Sequence, residues 1–174
     1  KRGNFLQRWV ERHDGRQGET VLINGKEKPV IRMQAGQMER WRFINASSAR
    51  YFKLRLNGLT FKIIGTDGGL IESAREAKEV LIVPGERLDI AAGPFEEGQV
   101  FSIESLPYNR MTMVKTRHEI FATVEVKEKK KSVAFLPEKL RVIEPLAERD
   151  AAITRKVKLS VDPSVKRGID FTVD

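Results

Sequence analysis

The sequence predicts an all-β protein, a β-sandwich or barrel, on three observations. Apolar and polar residues alternate with a period of two over most of the chain, as they do in strands with one buried face. Turn signals separate these stretches at short, regular intervals, the pattern of many short strands folded into two packed sheets. Helical signals are few, and none is long enough to carry an architecture.

The elements follow in chain order. Trp41 and Phe43 alternate with Arg40, Arg42 and Ile44. Phe52, Leu54 and Leu56 alternate with Lys53 and Arg55, and Leu88, Ile90 and Ala92 with Asp89. Ile120, Ala122, Val124 and Val126 form one phase of a further strand, with Thr123 and Glu125 in the other. Residues 80–83 are continuously apolar and 61–64 are apolar except for Lys62, which fits strands covered on both faces. Asn24-Gly25 and Asn57-Gly58 are tight-turn pairs, because both residue types tolerate positive φ. Asp67-Gly68-Gly69, Pro84-Gly85, Gly93-Pro94 and Glu97-Gly98 mark further turns. Short helical turns are expected at 47–50, 73–78 and 146–152. After about Val126 the composition shifts to charged residues and prolines. Alternation returns at 154–161, and 169–173 also has the character of a strand.

The 174 residues carry a net charge of +8, which first suggests a nucleic acid or an anionic surface. Position weakens that reading. Residues 1–126 hold 20 basic and 16 acidic side chains, and residues 127–174 hold 12 and 8, so the surplus is spread thinly. The dense run Lys127-Glu128-Lys129-Lys130-Lys131 reads as a solvated loop or strand end. Arg50-Tyr51-Phe52-Lys53 sets aromatics beside cations, as single-strand-binding surfaces do. The same alternation makes Phe52 a core residue and Arg50 and Lys53 ordinary surface charges, so no nucleic-acid partner is expected. No apolar run approaches the roughly 18 residues of a membrane span. No leader sequence is evident, and both ends read as cut from something longer.

The absence of cysteine excludes disulfides, thiolate metal sites and thiol nucleophiles. His13, in Arg12-His13-Asp14-Gly15, reads as an exposed turn residue, and His118 as a surface or edge residue. Met111 and Met113 share a strand face, where packing is the commoner use and cuprous binding the alternative. Asp67, Glu86 and Asp89 are carboxylates in turn and strand-edge contexts. No cleft is implied that would pair them for acid–base chemistry. There is no Gly-x-Ser-x-Gly elbow and no phosphate loop.

The residues singled out all have structural accounts. Gly36 starts a strand after a tight turn. Asn45 and Ser47 can bond neighbouring backbone and hold a corner. Asp67, Gly68 and Gly69 close a turn needing positive φ, and Gly85 lies in another. Glu86 and Arg87 are expected in ion pairs at the sheet edge, with Asp67 and Asp89 as partners.

Three segments also carry a resemblance. Gly36-Gln37-Met38-Glu39-Arg40-Trp41-Arg42-Phe43-Ile44-Asn45-Ala46-Ser47, Phe61-Lys62-Ile63-Ile64-Gly65-Thr66-Asp67-Gly68-Gly69 and Pro84-Gly85-Glu86-Arg87-Leu88-Asp89-Ile90 occur in that order, after Val21-Leu22-Ile23-Asn24-Gly25. Together they resemble the middle cupredoxin-like domain of three-domain, laccase-like multicopper oxidases. The match covers roughly residues 20–126.

The resemblance implies a Greek-key, cupredoxin-like β-sandwich or barrel at 20–126. Residues 1–19 would then be linker from a preceding domain, 127–152 a connector, and 153–174 the start of a following domain. In that family the coppers belong to the outer domains, held by His-x-His pairs and a Cys-His set. This chain is therefore expected to hold no cofactor, metal or catalytic residue, while the parent holds copper. The expected partners are the outer cupredoxin domains, with weak self-association through uncovered apolar strips and unpaired strands at 153–174. The parent would be periplasmic or secreted. It would oxidise phenols, aromatic amines or metal ions and reduce dioxygen to water. The alternative is a copper-free relative serving as a cell-envelope, cell-division scaffold.

Overall fold

The computed structural model describes residues 5–110, 116–128, 135–162 and 170–173. Two compact units divide the chain, Lys1–Ile143 and Glu144–Asp174. The first opens with helix α1 (Phe5–Asp14) and contains strands β1 (Val30–Gln34), β2 (Glu39–Ile44), β3 (Phe52–Leu56), β4 (Phe61–Thr66), β5 (Gly69–Ala77), β6 (Glu79–Ile82), β7 (Arg87–Ala92), β8 (Val100–Leu106) and β9 (Glu119–Lys127). They form a five-stranded sheet in the order β1-β9-β8-β3-β6 and a four-stranded sheet in the order β2-β7-β4-β5. The chain switches sheets repeatedly, so apart from the consecutive pairs β4–β5 and β8–β9 the neighbours in each sheet are distant in sequence.

The core lies between the two sheets. Leu54 and Leu56 of β3, Phe61 of β4, Leu88 and Ile90 of β7, Ile103 of β8, and Val124 and Val126 of β9 are buried in one cluster. These are the inward members of the alternating stretches, and the opposite members face outward. Phe52 meets Phe121 edge-on with ring centroids 5.0 Å apart, a favoured aromatic geometry. The Asn24-Gly25 turn forms with both residues at positive φ, 50° and 75°. Ile23 and Lys26 exchange backbone hydrogen bonds of 2.9 and 3.0 Å across it.

Several local expectations are overturned. Residues 73–78 form no helical turn, since β5 extends through Ala77 and pairs with β4 at Phe61↔Ala77, Lys62↔Glu76 and Ile63↔Arg75. A run rich in Ala, Glu, Arg and Lys prefers a helix in isolation, and pairing with β4 overrides that weak preference. Residues 47–50 are likewise not helical. Within 146–152, a 3₁₀ turn forms at Glu148–Asp150. His13, expected in a turn, lies within α1.

Ile120 does not share the buried phase of its strand. The β8–β9 register passes from Ile103↔Ala122 to Glu104↔Ile120, leaving Phe121 as an extra residue. Such a bulge reverses the alternation beyond it. Phe121 is therefore buried while Ile120 is 47% exposed.

At the end of β7, Gly93 has φ +98°, and a Cβ there would lie 2.6 Å from the Gln37 carbonyl oxygen. Gly93→Ala should cost about 2–4 kcal/mol, since both the left-handed backbone and a rigid carbonyl oppose the new methyl. Urea denaturation would register this as a lower midpoint at unchanged slope, and an unchanged midpoint would refute it.

The second unit contains the 3₁₀ turn and the antiparallel pair β10 (Leu159–Asp162) and β11 (Asp170–Val173), in register Leu159↔Val173. The strands expected to be unpaired at 153–174 thus pair with each other along one edge. No described helix is long and apolar enough to cross a membrane.

Candidate functional site

The three motif segments meet at one end of the four-stranded sheet. There the chain leaves β2 and β4 and enters β7, because β7 runs antiparallel to both. Asn45, directly after β2, is buried at 4% exposure. Its Nδ2 donates to Arg50 O at 2.7 Å and Ile82 O at 3.0 Å. Its Oδ1 accepts from Ser47 N at 3.1 Å and Ser47 Oγ at 2.6 Å. Asn45 N donates to Glu86 O at 3.0 Å, and Gly85 N donates to Asn45 O at 2.8 Å. The side chain thus stitches β2 to the loop before β3 and to the end of β6.

The carboxylates are committed to structure. Glu86 Oε2 accepts from Val83 N at 2.7 Å, closing the turn in which Gly85 takes φ +85°. Asp67 Oδ1 accepts from Arg87 N at 2.9 Å, and the Arg87 side chain pairs with it at 3.3 Å. That pair is more than half exposed on both sides and contributes little beyond its backbone bond. Asp89 pairs with Arg40 across β2 and β7 rather than with Arg87, and Glu86, itself a carboxylate, forms a backbone bond instead of an ion pair. Gly69 has φ +95°, while Gly68 is not in the left-handed region. Gly36 sits at the opposite end of the sheet with φ 72°, its N–H donating to Phe95 O at 2.9 Å.

Two polar clusters carried no distinct signal in the sequence. Glu104 is nearly fully buried on the outer face of the five-stranded sheet. Arg55, its register partner on β3, bonds Oε1 through Nε, and His118 Nε2 lies 2.5 Å from Oε2. Burial alone would raise the Glu104 carboxyl. The hydrogen bonds and charges of Arg55 and His118 outweigh it and hold the group below its ordinary 4.5. The second cluster centres on Arg50, whose side chain is only 13% exposed and is no ordinary surface charge.

A cleft of about 580 Å³ opens between the sheets beside β2. Val21, Ile23, Phe43, Phe52 and Phe121 line it, with Asn45, Ser47 and Arg50 at its polar end. It presents no pair of carboxylates and no nucleophile with a base beside it. Copper requires soft thiolate or imidazole donors gathered in one place. The chain has no cysteine, His118 is engaged by Glu104, and no described cluster of three His, Cys, Asp or Glu could hold a metal ion. The described donor set does not fit copper. Met111 and Met113 lie outside the described residues.

A family model described as multicopper oxidase matches residues 6–117. The chain belongs to the multicopper oxidase family. The multicopper oxidase mco of Staphylococcus aureus is 31% identical over 117 residues, covering 67% of this chain and 24% of that protein. The cell division protein FtsP of Proteus mirabilis is 41% identical over 78 residues, covering 44% of this chain and 16% of that protein. A solved multicopper oxidase from Campylobacter jejuni, described as a metallo-oxidase, superposes with a TM-score of 0.70 at 36% identity. It is matched over 83% of this chain and 30% of its own. The chain thus spans about a quarter of the length of the curated relatives it matches. The two-sheet architecture is the cupredoxin-like β-sandwich of this family. Copper is implied for the longer protein by its family.

Proposed function

We propose that this multicopper oxidase segment is a copper-free middle domain, a spacer that sets the relative position of two copper-bearing outer domains. The observation that carries the reading is the donor set. A member of a copper family has no cysteine, and its one described histidine side chain is engaged by a buried glutamate. A cluster assembled from two domains is sensitive to displacements well below 1 Å, so a rigid spacer has a mechanistic role without touching a metal. In this reading 20–126 is the spacer domain, 127–152 the connector, and 153–174 the opening of the next domain. The exposed apolar residues Ile44, Val30 and Val100 belong to surfaces the outer domains would cover, and in their absence would support weak self-association. The parent would be exported, and would oxidise phenols, aromatic amines or metal ions while reducing dioxygen to water.

The isolated chain should take up no copper tightly. Titration with Cu(I) under a competing chelator, and with Cu(II) by absorbance, should show no stoichiometric site. A tight one-to-one complex would overturn the reading.

The similarity to FtsP favours a second reading, a non-enzymatic scaffold of the same fold. The coding sequence on either side discriminates the two: His-x-His pairs and a His-Cys-His segment make the parent an oxidase, and their absence makes it a scaffold.

A further inference from the structure

The segment joining α1 to the β-sandwich crosses the corner at 47–50 and is held there by its own backbone. Arg50 Nε donates to Gln17 O at 2.9 Å, and Nη2 donates to Gly18 O at 2.7 Å. The third arm, Nη1, bonds Glu119 Oε2 of β9 at 2.8 Å. Ser48 Oγ donates to Arg16 O at 2.7 Å. Three consecutive carbonyls, of Arg16, Gln17 and Gly18, are thus captured by two neighbouring residues of one loop. At Gly15 the chain passes so close that a Cβ would lie 2.5 Å from Ala49 Cβ. The corner is braced from its other side by Arg110, whose Nη1 donates to Ala49 O at 2.8 Å and whose guanidinium lies 4.1 Å from the centre of the Tyr51 ring. Tyr108 stacks on Tyr51 with planes 8° apart.

From this geometry we infer that Arg50 is a positioning residue. Its fork locks the chain entering from upstream to β9 and so sets the direction from which a preceding domain approaches. The inference rests on the spacer reading and gives it a device. A flexible join would leave the outer domains free to separate, whereas a three-point guanidinium clamp holds the join as part of the sheet scaffold. Lysine cannot substitute, because a single ammonium lacks the planar fork that reaches two carbonyls and a carboxylate together.

The test uses the 174-residue chain, in which the absence of cysteine lets two introduced thiols be labelled uniquely. Spin labels go on α1 through Arg12→Cys and on the exposed β3–β4 turn through Asn57→Cys. The distance distribution is compared with Arg50 intact and in Arg50→Lys, Arg50→Ala and Ser48→Ala backgrounds. With Arg50 intact the distribution is narrow. Both Arg50 variants broaden it at least about twofold and speed amide exchange at residues 16–19 at least about tenfold, while the strand amides of β3, β8 and β9 keep their protection. Ser48→Ala gives a smaller broadening, and supplies the comparison if Arg50→Ala fails to fold. A broad distribution with Arg50 intact, or an unchanged one in Arg50→Lys and Ser48→Ala, overturns the inference. Copper plays no part in this readout, so failure here is separable from failure of the spacer reading, which the copper titration decides.

Discussion

Asn45→Asp should destabilise the domain by about 3–5 kcal/mol. All four hydrogen-bonding positions of the Asn45 amide are used, two as donor and two as acceptor. Aspartate keeps the shape and the acceptor but turns Nδ2 into an oxygen facing the carbonyls of Arg50 and Ile82. A buried carboxylate against two carbonyl oxygens must be protonated or expelled. Asn45→Ala removes the repulsion but leaves both carbonyls and the Ser47 donors without the partner they had, at about 2–3 kcal/mol. The midpoint of thermal unfolding should fall in the order native, alanine, aspartate, with the full drop about 10–15 °C. Equal midpoints for aspartate and asparagine would show that the corner is not closed as described.

The second large effect is at Glu104. Its carboxylate side chain is 3% exposed, whereas Arg55 and His118 are 36% and 47% exposed. The three groups are therefore unequal. If Glu104 is replaced by leucine, Arg55 and His118 can turn toward water. If Arg55 is replaced by leucine, Glu104 stays buried with His118 alone. Arg55→Leu should cost about 2–4 kcal/mol and Glu104→Leu clearly less, since an uncompensated buried charge is what makes a broken pair expensive. Double-mutant analysis of urea midpoints reads the asymmetry, and the reverse order would refute it.

The pH dependence of the Glu104 contribution has a definite sign. The carboxyl is held below its ordinary 4.5 in the folded chain. Its contribution is therefore complete above about pH 4.5 and lost as pH falls through the lower folded value. The stability difference between the native chain and Glu104→Leu should shrink on acidification below 4.5. Glu125, whose carboxyl Lys127 also holds low, is present in both proteins and cancels from the difference. A difference that grew as the pH fell would contradict this arrangement.

Much of the fold could be read locally. The Asn24-Gly25 turn needed two adjacent residues that tolerate positive φ, and alternation alone identified β2, β3 and β7 and their inward faces. Asn45 was legible as a corner because amide side chains bond nearby backbone. What could not be read was long-range. β1 pairs with β9 in parallel, yet nothing near residue 30 announces a partner more than ninety positions away. β5 was concealed by helix-favouring residues and exists because β4 offers it a ladder. α1 has Trp9 and Val10 four residues after Phe5 and Leu6, a helical spacing that is local and therefore legible. Arg50 looked like any cation beside a strand until three elements converged on its fork.

By itself the sequence determined the class of fold, its family and the absence of thiolate chemistry. Those follow from residue type and order: alternation, no cysteine, and motifs in a fixed succession. Only the tertiary structure decided which charges are structural. The residue opposite Glu104 is set by a bulge in the register of β9 against β8, and capture of Gln17 and Gly18 depends on a loop folding over them. Register and loop closure are properties of pairs distant along the chain, so no local pattern could state them.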